Sequence, residues 1–543
     1  MLAADGGRAR KGWDAMKFNG ILVAVLMTLT APAIAQTDSA ATIDAMFSNI
    51  TADMPGCAVG VSKDGKKVIE KAYGLAVLEH DVANTTETLF EIGSVSKQFT
   101  AAAVLLLERD GKLKLGDDIR SYLPEMPDYG TPITIEMLLN HTSGLRDWGS
   151  VANAMGKPRG ERNFSNAEVL DIAARQKQLN YKPGAAYSYT NTGYNLAAII
   201  VERVSGKSFM AFTRERLFDP LGMTSAQWRD DFNRIVKHRA MAYVPAPAGF
   251  QQSMPFMNVY GNGGLMMTIG DLTRWNEAML ADELGLRATM EKKGTLSDGR
   301  EIPYARGVNV LRYNGVAEIS HSGGTGGYYA WLARYPDSKV SVALMCNGPP
   351  PRAATPAALA GVFLGTAPEV ASASGLADPA RYAGRFVDTR TGMAWDVSSS
   401  AGELRMNDRP VTRISDTQWK RGSDTYTFLS ADRFHIEGFD GNLYQFVRTP
   451  AVTTLTLQQL EEYTGVYASE EARATYRISV EDGQLKARID GWPETVVPLS
   501  PTYKDAFESG PTLVRFRRGP DGRINEVSFG EARMWDLRAA RVR

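Results

Sequence analysis

The sequence predicts a domain of mixed α and β structure followed by two small antiparallel β-barrels. Up to about residue 364, strand and hairpin signals alternate with apolar stretches of helical period. Beyond that point the helical signals give way to short strands separated by Asp-Gly turns. This last third also repeats itself at a constant offset, which is typical of a duplicated module.

The composition favours a globular enzyme or binding protein with a small ligand. The chain has 543 residues, of which 44% are hydrophobic, enough for the cores of roughly three or four domains. Lys plus Arg and Asp plus Glu both total 61, so no net charge attracts nucleic acid or an anionic membrane. We therefore expect no nucleic-acid partner and a small-molecule or peptide substrate, and the sequence leaves the oligomeric state open.

The N-terminus predicts a cleavable signal peptide. Lys17 precedes an apolar run over 21–29 that is too short for a permanent membrane span, and Ala33 and Ala35 occupy the small-residue positions before a cleavage site. Met16 directly precedes Lys17 and is a candidate for the true start. We expect a periplasmic or secreted protein without an integral span after processing; the alternative is a membrane-anchored N-terminus.

The two cysteines of the chain, Cys57 and Cys346, lie at the ends of predicted strands over 57–62 and 340–346. If these strands pair antiparallel, the thiols meet and form a disulfide in an oxidising compartment. Two free buried thiols are the alternative, and the sequence does not decide between them. Neither cysteine has metal-site spacing.

The first candidate site is the stretch from Phe90 to Thr100, which predicts a strand end turning into a helix over 94–108. Ser94 then lies in the first helical turn, where free backbone N–H groups favour a developing negative charge. Lys97 follows three residues later on the same face. A serine beside an amine is the arrangement of Ser-x-x-Lys acyl-transfer enzymes.

Two further stretches carry polar groups at element ends. A short helix over 133–139 runs into His141, for which we expect a structural role in a Thr-Ser-Gly turn. The loop before a helix over 192–204 contains Tyr189 and Asn191, a phenol for proton transfer and a carboxamide for binding. A tyrosine-rich loop that only packs on the core is the alternative.

The third stretch runs from His321 through Gly323 and Gly324 and reads as a strand that contains glycines, followed by a hairpin. Glycine inside a strand often marks a place where another group approaches the backbone closely. A substrate backbone laid along this strand would need that clearance. The alternative is a glycine-rich hairpin without a ligand.

Together these motifs resemble the serine β-lactamase and penicillin-binding-protein superfamily, in its class C-like branch. Three motifs carry the resemblance in the expected order: Ser94-Val-Ser-Lys97, Tyr189-Thr-Asn191 and His321-Ser-Gly323. The resemblance covers about residues 40–365 and implies an α/β catalytic domain over 36–366. It further implies an antiparallel sheet flanked by helices, an all-helical lobe, and an active site between them.

One departure bears on specificity. Many relatives have Lys-Thr-Gly where this chain has His321-Ser-Gly323, and a mostly neutral imidazole pairs weakly with a carboxylate near pH 7. Histidine at this position resembles the D-aminopeptidase and esterase members instead.

The last third predicts a linker over 367–375 and lipocalin-like barrels over 376–450 and 451–543. The repeat is carried by three pairs of segments, each offset by 81 positions (463 − 382, 483 − 402, 521 − 440): Tyr382-Ala-Gly-Arg-Phe386 with Tyr463-Thr-Gly-Val-Tyr467, Gly402-Glu-Leu-Arg405 with Gly483-Gln-Leu-Lys486, and Asp440-Gly-Asn-Leu443 with Asp521-Gly-Arg-Ile524.

A catalytic domain followed by two barrels resembles the layout of bacterial D-aminopeptidase. In that enzyme a loop of the last barrel reaches the active site and holds the substrate's amine. The corresponding stretch here, residues 503–511, is short, and Asp505 and Glu508 are its candidates to reach an ammonium group. The shortening favours a more open pocket.

The resemblance also implies roles for the site residues. Ser94 attacks the substrate carbonyl, and Lys97 and Tyr189 share the proton transfers, with the identity of the base left open. The backbone N–H groups of Ser94 and Gly324 hold the oxyanion, beside Gly323. Asn191 binds the substrate's amide side chain. His321 supports the Tyr189 hydroxyl or the leaving group.

The most favoured function is that of an exported D-amino-acid peptidase or amidase, followed by an esterase and a weak β-lactamase. A sensor of muropeptides or β-lactams that does not turn over is the alternative from another class. Neither a metal nor an organic cofactor is expected, because the five histidines lack ligand spacing.

Overall fold

The computed structural model describes residues 39–313, 315–364, 378–400 and 402–542. The predicted signal peptide (1–35) and linker (367–375) lie outside the described residues. Among the residues described, no helix combines the length and the apolar character that a membrane span requires. The predicted fold class is confirmed: an α/β domain is followed by two antiparallel barrels.

The α/β domain is built on a six-stranded antiparallel sheet. Its strands lie in the spatial order Asn309–Tyr313, Val316–Thr325, Tyr328–Tyr335, Val340–Cys346, Cys57–Lys63 and Lys66–Tyr73. Cys57 lies opposite Cys346 in the register, and the two form a disulfide. Of the alternatives left open by the sequence, the structure therefore has the bridged one.

Helices cover both faces of this sheet because its central strands are apolar on both sides. Val59 and Val61 pack against the helices Ser39–Phe47 and Pro356–Leu364. Gly60 faces the helix Ile269–Ala281, where a Cβ atom would lie only 2.3 Å from the hydroxyl oxygen of Thr273. A glycine at this position therefore lets the helix approach the strand closely.

A helical lobe packs beside the sheet around the buried helix Asn191–Ser205, which begins at the Thr190 N-cap. The helix Lys97–Arg109, which follows Ser94 directly, lies against it. The other helices of the domain are Ile135–Leu139, Trp148–Ala154, Asn166–Ala174, Phe209–Thr213 and Arg287–Met290. Small two- and three-stranded sheets connect these elements: Leu75–Val77 with Val82–Ala83; Phe90–Glu91, Leu265–Met267 and Gln227–Trp228; Tyr243–Ala246 with Gly249–Gln252; and Gly294–Thr295 with Glu301–Ile302.

The first barrel is a single antiparallel sheet that is nearly closed. Its strands are Gly384–Asp388, Ala394–Ser400, Glu403–Met406, Arg409–Pro410, Thr412–Arg413, Gln418–Arg421, Asp424–Ser430, Arg433–Glu437 and Leu443–Arg448. The strands Arg409–Pro410 and Thr412–Arg413 form the two edges of the sheet. Because Val411 alone separates them in the chain, the edges come together at this point.

The second barrel is closed and follows the short helix Leu457–Glu461. Its strands are Gly465–Ser469, Ala474–Glu481, Gln484–Ile489, Trp492–Tyr503, Ala506–Ser509, Thr512–Arg518, Ile524–Glu531 and Met534–Arg541. Gly465 opens it in the same conformation as Gly384 opens the first barrel, with φ angles of 153° and 150°. In each barrel an arginine guanidinium covers the space where the glycine's Cβ would lie.

Both barrels dock on the catalytic domain. Arg146 of the α/β domain and Glu471 of the second barrel form an ion pair of 2.8 Å, and their side chains are 1% and 9% exposed. In the first barrel, Asn442 makes two hydrogen bonds with the backbone of Tyr187, of 2.8 and 3.0 Å. Because Tyr187 belongs to the loop that carries Tyr189, the barrels help to position the candidate site.

Replacing Glu471 by Ala should lower the free energy of unfolding by about 3 kcal/mol, because it leaves the Arg146 guanidinium buried without a counter-ion. Urea denaturation measures the change. Glu470 is the matched control: it pairs with Lys177 at the surface and its side chain is 81% exposed, so Glu470→Ala should not move the midpoint. A Glu471→Ala protein as stable as the wild type would contradict this account of docking.

Candidate active site

Ser94 lies in a single helical turn, Gly93–Ser96, that runs directly into the helix Lys97–Arg109. The geometry places Lys97 Nζ 3.1 Å from Ser94 Oγ, as the three-residue spacing predicts. Gly93 has a φ angle of +50°, and a Cβ atom there would lie 2.6 Å from the backbone nitrogen of Gly324. Glycine is therefore needed where the nucleophile turn meets the neighbouring strand.

Lys97 is completely buried and has three polar neighbours. Besides Ser94, its Nζ atom donates to Asn191 Oδ1 at 2.9 Å and to the backbone oxygen of Asn262 at 2.7 Å. Burial lowers the pKa of Lys97 well below its ordinary value, and the positive charge of Arg533 lowers it further. All three neighbours of Nζ are oxygen atoms, and the Ser94 hydroxyl can also donate, so an uncharged Lys97 amine can accept from Ser94 while it donates to the other two.

The pKa of Tyr189 is shifted in the opposite direction to that of Lys97. Burial raises the pKa of its phenol, and the neighbouring Ser94 hydroxyl offsets part of this increase. The Lys97 Nζ atom lies 4.9 Å from the centre of the Tyr189 ring. The lowered pKa of the amine and the raised pKa of the phenol, beside one hydroxyl, favour Lys97 as the proton acceptor and Tyr189 as a proton donor, which the sequence left open.

His321 contacts a different partner from the one predicted. Its Nδ1 atom lies 2.6 Å from the backbone oxygen of Ser322, which can only accept, so Nδ1 carries the proton. The Nε2 atom then accepts from the Tyr304 hydroxyl at 3.0 Å. Of the two roles predicted for His321, support of the Tyr189 hydroxyl is wrong, because Tyr304 occupies the hydrogen-bonding position; support of the leaving group stays a prediction. Burial lowers the pKa of His321 to about 3, so its imidazole is neutral at physiological pH.

Gly323 and Gly324 lie against the nucleophile turn. A Cβ atom on Gly323 would lie 2.0 Å from the backbone oxygen of Ile92 and 3.0 Å from the backbone nitrogen of Ser94. On Gly324 it would meet one atom within 4 Å, at 3.9 Å. The two glycines thus combine close packing on one side with open space on the other, as an oxyanion site beside Ser94 requires.

Asn191 is the first residue of the helix Asn191–Ser205, and its backbone N–H donates to Asp147 Oδ2 at 2.7 Å. Its side-chain oxygen is occupied by Lys97, which leaves the Nδ2 group as the donor for a substrate carbonyl.

His141 has the structural role predicted: it is buried, and its Nδ1 and backbone oxygen accept from the N–H groups of Thr190 and Ser188 at 3.3 and 3.0 Å.

A cavity of about 740 Å³ opens at this constellation. Ser94, Tyr189, Asn191, His321, Gly323 and Gly324 all line it, so the structure brings every predicted site residue together, with Lys97 buried behind Ser94. Both barrels complete its wall. The first supplies Trp395 and Phe439, and the second supplies Arg533 and Trp535.

Neither candidate of the short 503–511 stretch reaches the site. Asp505 pairs with Arg518 at 2.8 Å and accepts from the Tyr463 hydroxyl at 2.9 Å, and neither Asp505 nor Glu508 lines the cavity. The hairpin turn between Ile524–Glu531 and Met534–Arg541 reaches it instead. This turn has two residues, so neither its length nor an acidic group marks it in the sequence, and Arg533 and Tyr304 were both missed.

Comparison with known proteins agrees with this geometry. A family model described as Beta-lactamase matches residues 43–365, and the chain belongs to this family, which makes it a serine hydrolase. A second model, described as a domain of unknown function (DUF3471), matches residues 449–540. Within the described residues, no group of three or more His, Cys, Asp or Glu is placed to hold a metal ion.

Among curated relatives, a D-aminopeptidase of Brucella anthropi is 28% identical over 479 residues, which cover 84% of this chain and 86% of the relative. Two solved structures share the fold. A penicillin-binding protein homologue from Pyrococcus abyssi has a TM-score of 0.53 and 22% identity, covering 76% of this chain and 99% of that one. A D-stereospecific amidohydrolase from Streptomyces sp. has a TM-score of 0.52 and 22% identity, covering 61% of this chain and 100% of that one.

The pH dependence of kcat/KM should report the protonation of Lys97. Activity falls as pH falls through the Lys97 pKa, and we expect the midpoint of this acid limb well below the ordinary lysine value of 10.5. Arg533→Gln removes a positive charge that disfavours protonation, so it should move the midpoint to higher pH. Initial rates measured across pH with one ester substrate test this; a midpoint that stays fixed or falls in the variant would contradict the assignment.

Proposed function

We propose that the protein hydrolyses amide bonds of D-amino-acid peptides or amides through a covalent intermediate on Ser94. The observation that carries the proposal is the contact of a buried, low-pKa lysine with the Ser94 hydroxyl at the floor of the cavity. The D-aminopeptidase relative supports the choice of a D-amino-acid amide over an ester or a β-lactam.

Acylation begins when the neutral Lys97 amine takes the proton of Ser94 and Oγ attacks the substrate carbonyl carbon. The backbone N–H groups of Ser94 and Gly324 stabilise the oxyanion, a contribution of about 3 kcal/mol for each donor. The C–N bond then breaks, and the departing nitrogen takes a proton from the Tyr189 phenol. The Lys97 ammonium then returns a proton to the Tyr189 phenolate by way of the hydrogen bonds around the Ser94 oxygen.

Deacylation repeats these steps with water in place of Ser94. Lys97 removes a proton from the water, whose oxygen attacks the ester carbonyl of the acyl-enzyme. Ser94 Oγ leaves and regains its proton, and the free acid is released. His321 takes no proton in this scheme, because its pKa of about 3 keeps it neutral; it orients Tyr304 at the edge of the cavity.

Ser94→Ala should abolish turnover and labelling by a serine-directed phosphonate without unfolding the protein. Ser322→Ala is the matched control: Ser322 lines the same cavity but has no lysine beside its hydroxyl, so labelling should persist. Intact-protein mass spectrometry measures the label. A phosphonate adduct on the Ser94→Ala protein would refute the nucleophile.

The substrate class is tested with D- and L-alanine p-nitroanilide, a p-nitrophenyl ester and nitrocefin. We expect the D-anilide to have a kcat/KM at least about tenfold above that of its L-enantiomer, which corresponds to about 1.4 kcal/mol in the transition state. Equal rates for the enantiomers, or nitrocefin as the best substrate, would contradict the proposed class.

We also propose that the protein is exported. The disulfide between Cys57 and Cys346 supports this, because disulfides persist mainly in oxidising compartments. Expression of the full chain in a Gram-negative host, followed by fractionation and mass spectrometry, should yield a periplasmic protein beginning at Gln36. An unprocessed cytosolic protein would contradict export.

A further inference from the structure

The active-site cavity contains a guanidinium group without a counter-ion. Arg533 lines the cavity and lies over the ring of Tyr189, with 4.8 Å from its guanidinium carbon to the ring centre. Among the described residues, none forms an ion pair or a hydrogen bond with this side chain. Arg159 also lines the cavity and also has no ion pair among the described residues, but its side chain is solvent-exposed and lies over Trp148.

The acidic groups of the same wall are already occupied. Asp388 accepts from the Thr391 hydroxyl at 2.8 Å and from the backbone N–H of Arg390 at 3.2 Å. Asp440 accepts from both nitrogens of Asn442, at 3.0 and 2.8 Å, and from the Tyr444 hydroxyl. These two carboxylates therefore already accept from neighbouring donors, whereas the Arg533 guanidinium has no acceptor among the described residues and is open to an anion.

The Arg533 backbone is held firmly in place by the catalytic domain. Its carbonyl oxygen accepts from the backbone N–H of Asp147 at 3.1 Å and from Asn180 Nδ2 at 3.1 Å. Asn180 also accepts from the Trp535 N–H at 3.0 Å, so one side chain holds both the last residue of the turn and the start of the following strand. A guanidinium on a fixed turn is suited to a planar, two-oxygen ligand.

The position of Arg533 indicates which part of the substrate would carry the anion. Tyr189 protonates the departing nitrogen in the proposed mechanism, and Arg533 lies directly over its ring. A carboxylate bound by Arg533 therefore belongs to the leaving group, close to the scissile bond. His321, which is neutral and bonded to Tyr304, supplies no competing charge.

We infer that Arg533 binds the α-carboxylate of the leaving amino acid, so that the enzyme removes C-terminal residues from peptides or N-acyl amino acids. This rests on the proposed acyl-enzyme function. The scissile C–N bond breaks as the Ser94 Oγ–C bond forms, the nitrogen takes the Tyr189 proton, and the amino acid departs with its carboxylate intact. Water then hydrolyses the acyl-enzyme. Arg533 is thus a specificity-determining residue contributed by the second barrel.

The kinetic test compares N-acetyl-D-Phe-D-Ala with the same dipeptide as its C-terminal carboxamide. For the wild type we expect kcat/KM for the acid to exceed that for the carboxamide by at least about tenfold, a typical effect of one charge-assisted bidentate contact. Arg533→Gln should bring this ratio close to one, mainly through the KM of the acid, and Arg533→Lys should retain part of it because its charge remains.

Arg523→Gln is the matched control for this substitution. Arg523 is exposed in a turn of the same barrel and does not line the cavity, so its loss removes one positive charge elsewhere and should leave the ratio unchanged. Thermal unfolding midpoints of the variants show that each is folded. A wild-type ratio near one, or a ratio that Arg533→Gln does not change, overturns the inference.

Binding to the Ser94→Ala protein separates this inference from the proposed function. By calorimetry, the acid should bind at least about tenfold more tightly than the carboxamide, and Ser94→Ala combined with Arg533→Gln should lose the difference. If this discrimination is present but the wild type cleaves neither compound, the carboxylate site stands and the proposed function fails. If the wild type cleaves both without discrimination, the function stands and the carboxylate site is overturned.

Discussion

The active site depends on the burial of one amine. Lys97 has no exposed surface, and its Nζ atom is shared between the Ser94 hydroxyl and two acceptors supplied by Asn191 and Asn262. In water a lysine would be protonated and unable to take a proton from an alcohol. Desolvation reverses this preference at a cost in stability that the surrounding core must offset. The packing of the start of the helix 191–205 and of the Asn262 backbone around the Lys97 side chain is therefore the condition for the proposed role of Ser94 as a nucleophile.

The barrels are part of the site as well as attached to it. Asn442 of the first barrel holds the backbone of Tyr187, two residues before Tyr189, and the second barrel places Arg533 over the Tyr189 ring. Arg533 contributes to the site in two ways. Its positive charge lowers the pKa of Lys97, and its side chain lines the cavity. The pKa of Lys97, which is lowered first by burial, is thus lowered further by a residue more than 300 positions along the chain.

The sequence alone predicts the parts of the site that are governed by local spacing. Ser94 and Lys97 share a helical face, and the strand glycine at 323 marks a close approach of another backbone. The contact of His321 with Tyr304, and the reach of Arg533 into the cavity, arise from pairing across elements and between domains. A two-residue hairpin turn has no local feature that distinguishes a buried contact from a solvated one, so the sequence offered Asp505 and Glu508 as candidates and did not indicate Arg533. The repeat, by contrast, predicted both barrels because a constant offset requires no knowledge of contacts.

The central claim is that Lys97 is a neutral amine in the resting enzyme. The most direct measurement is an NMR titration of the protein with ¹³Cε-labelled lysine, in which the Lys97 resonance is assigned by its absence from a Lys97→Arg variant. The account predicts a Lys97 pKa far below those of the surface lysines in the same spectra. A Lys97 resonance that titrates together with the surface lysines, near 10.5, would contradict it.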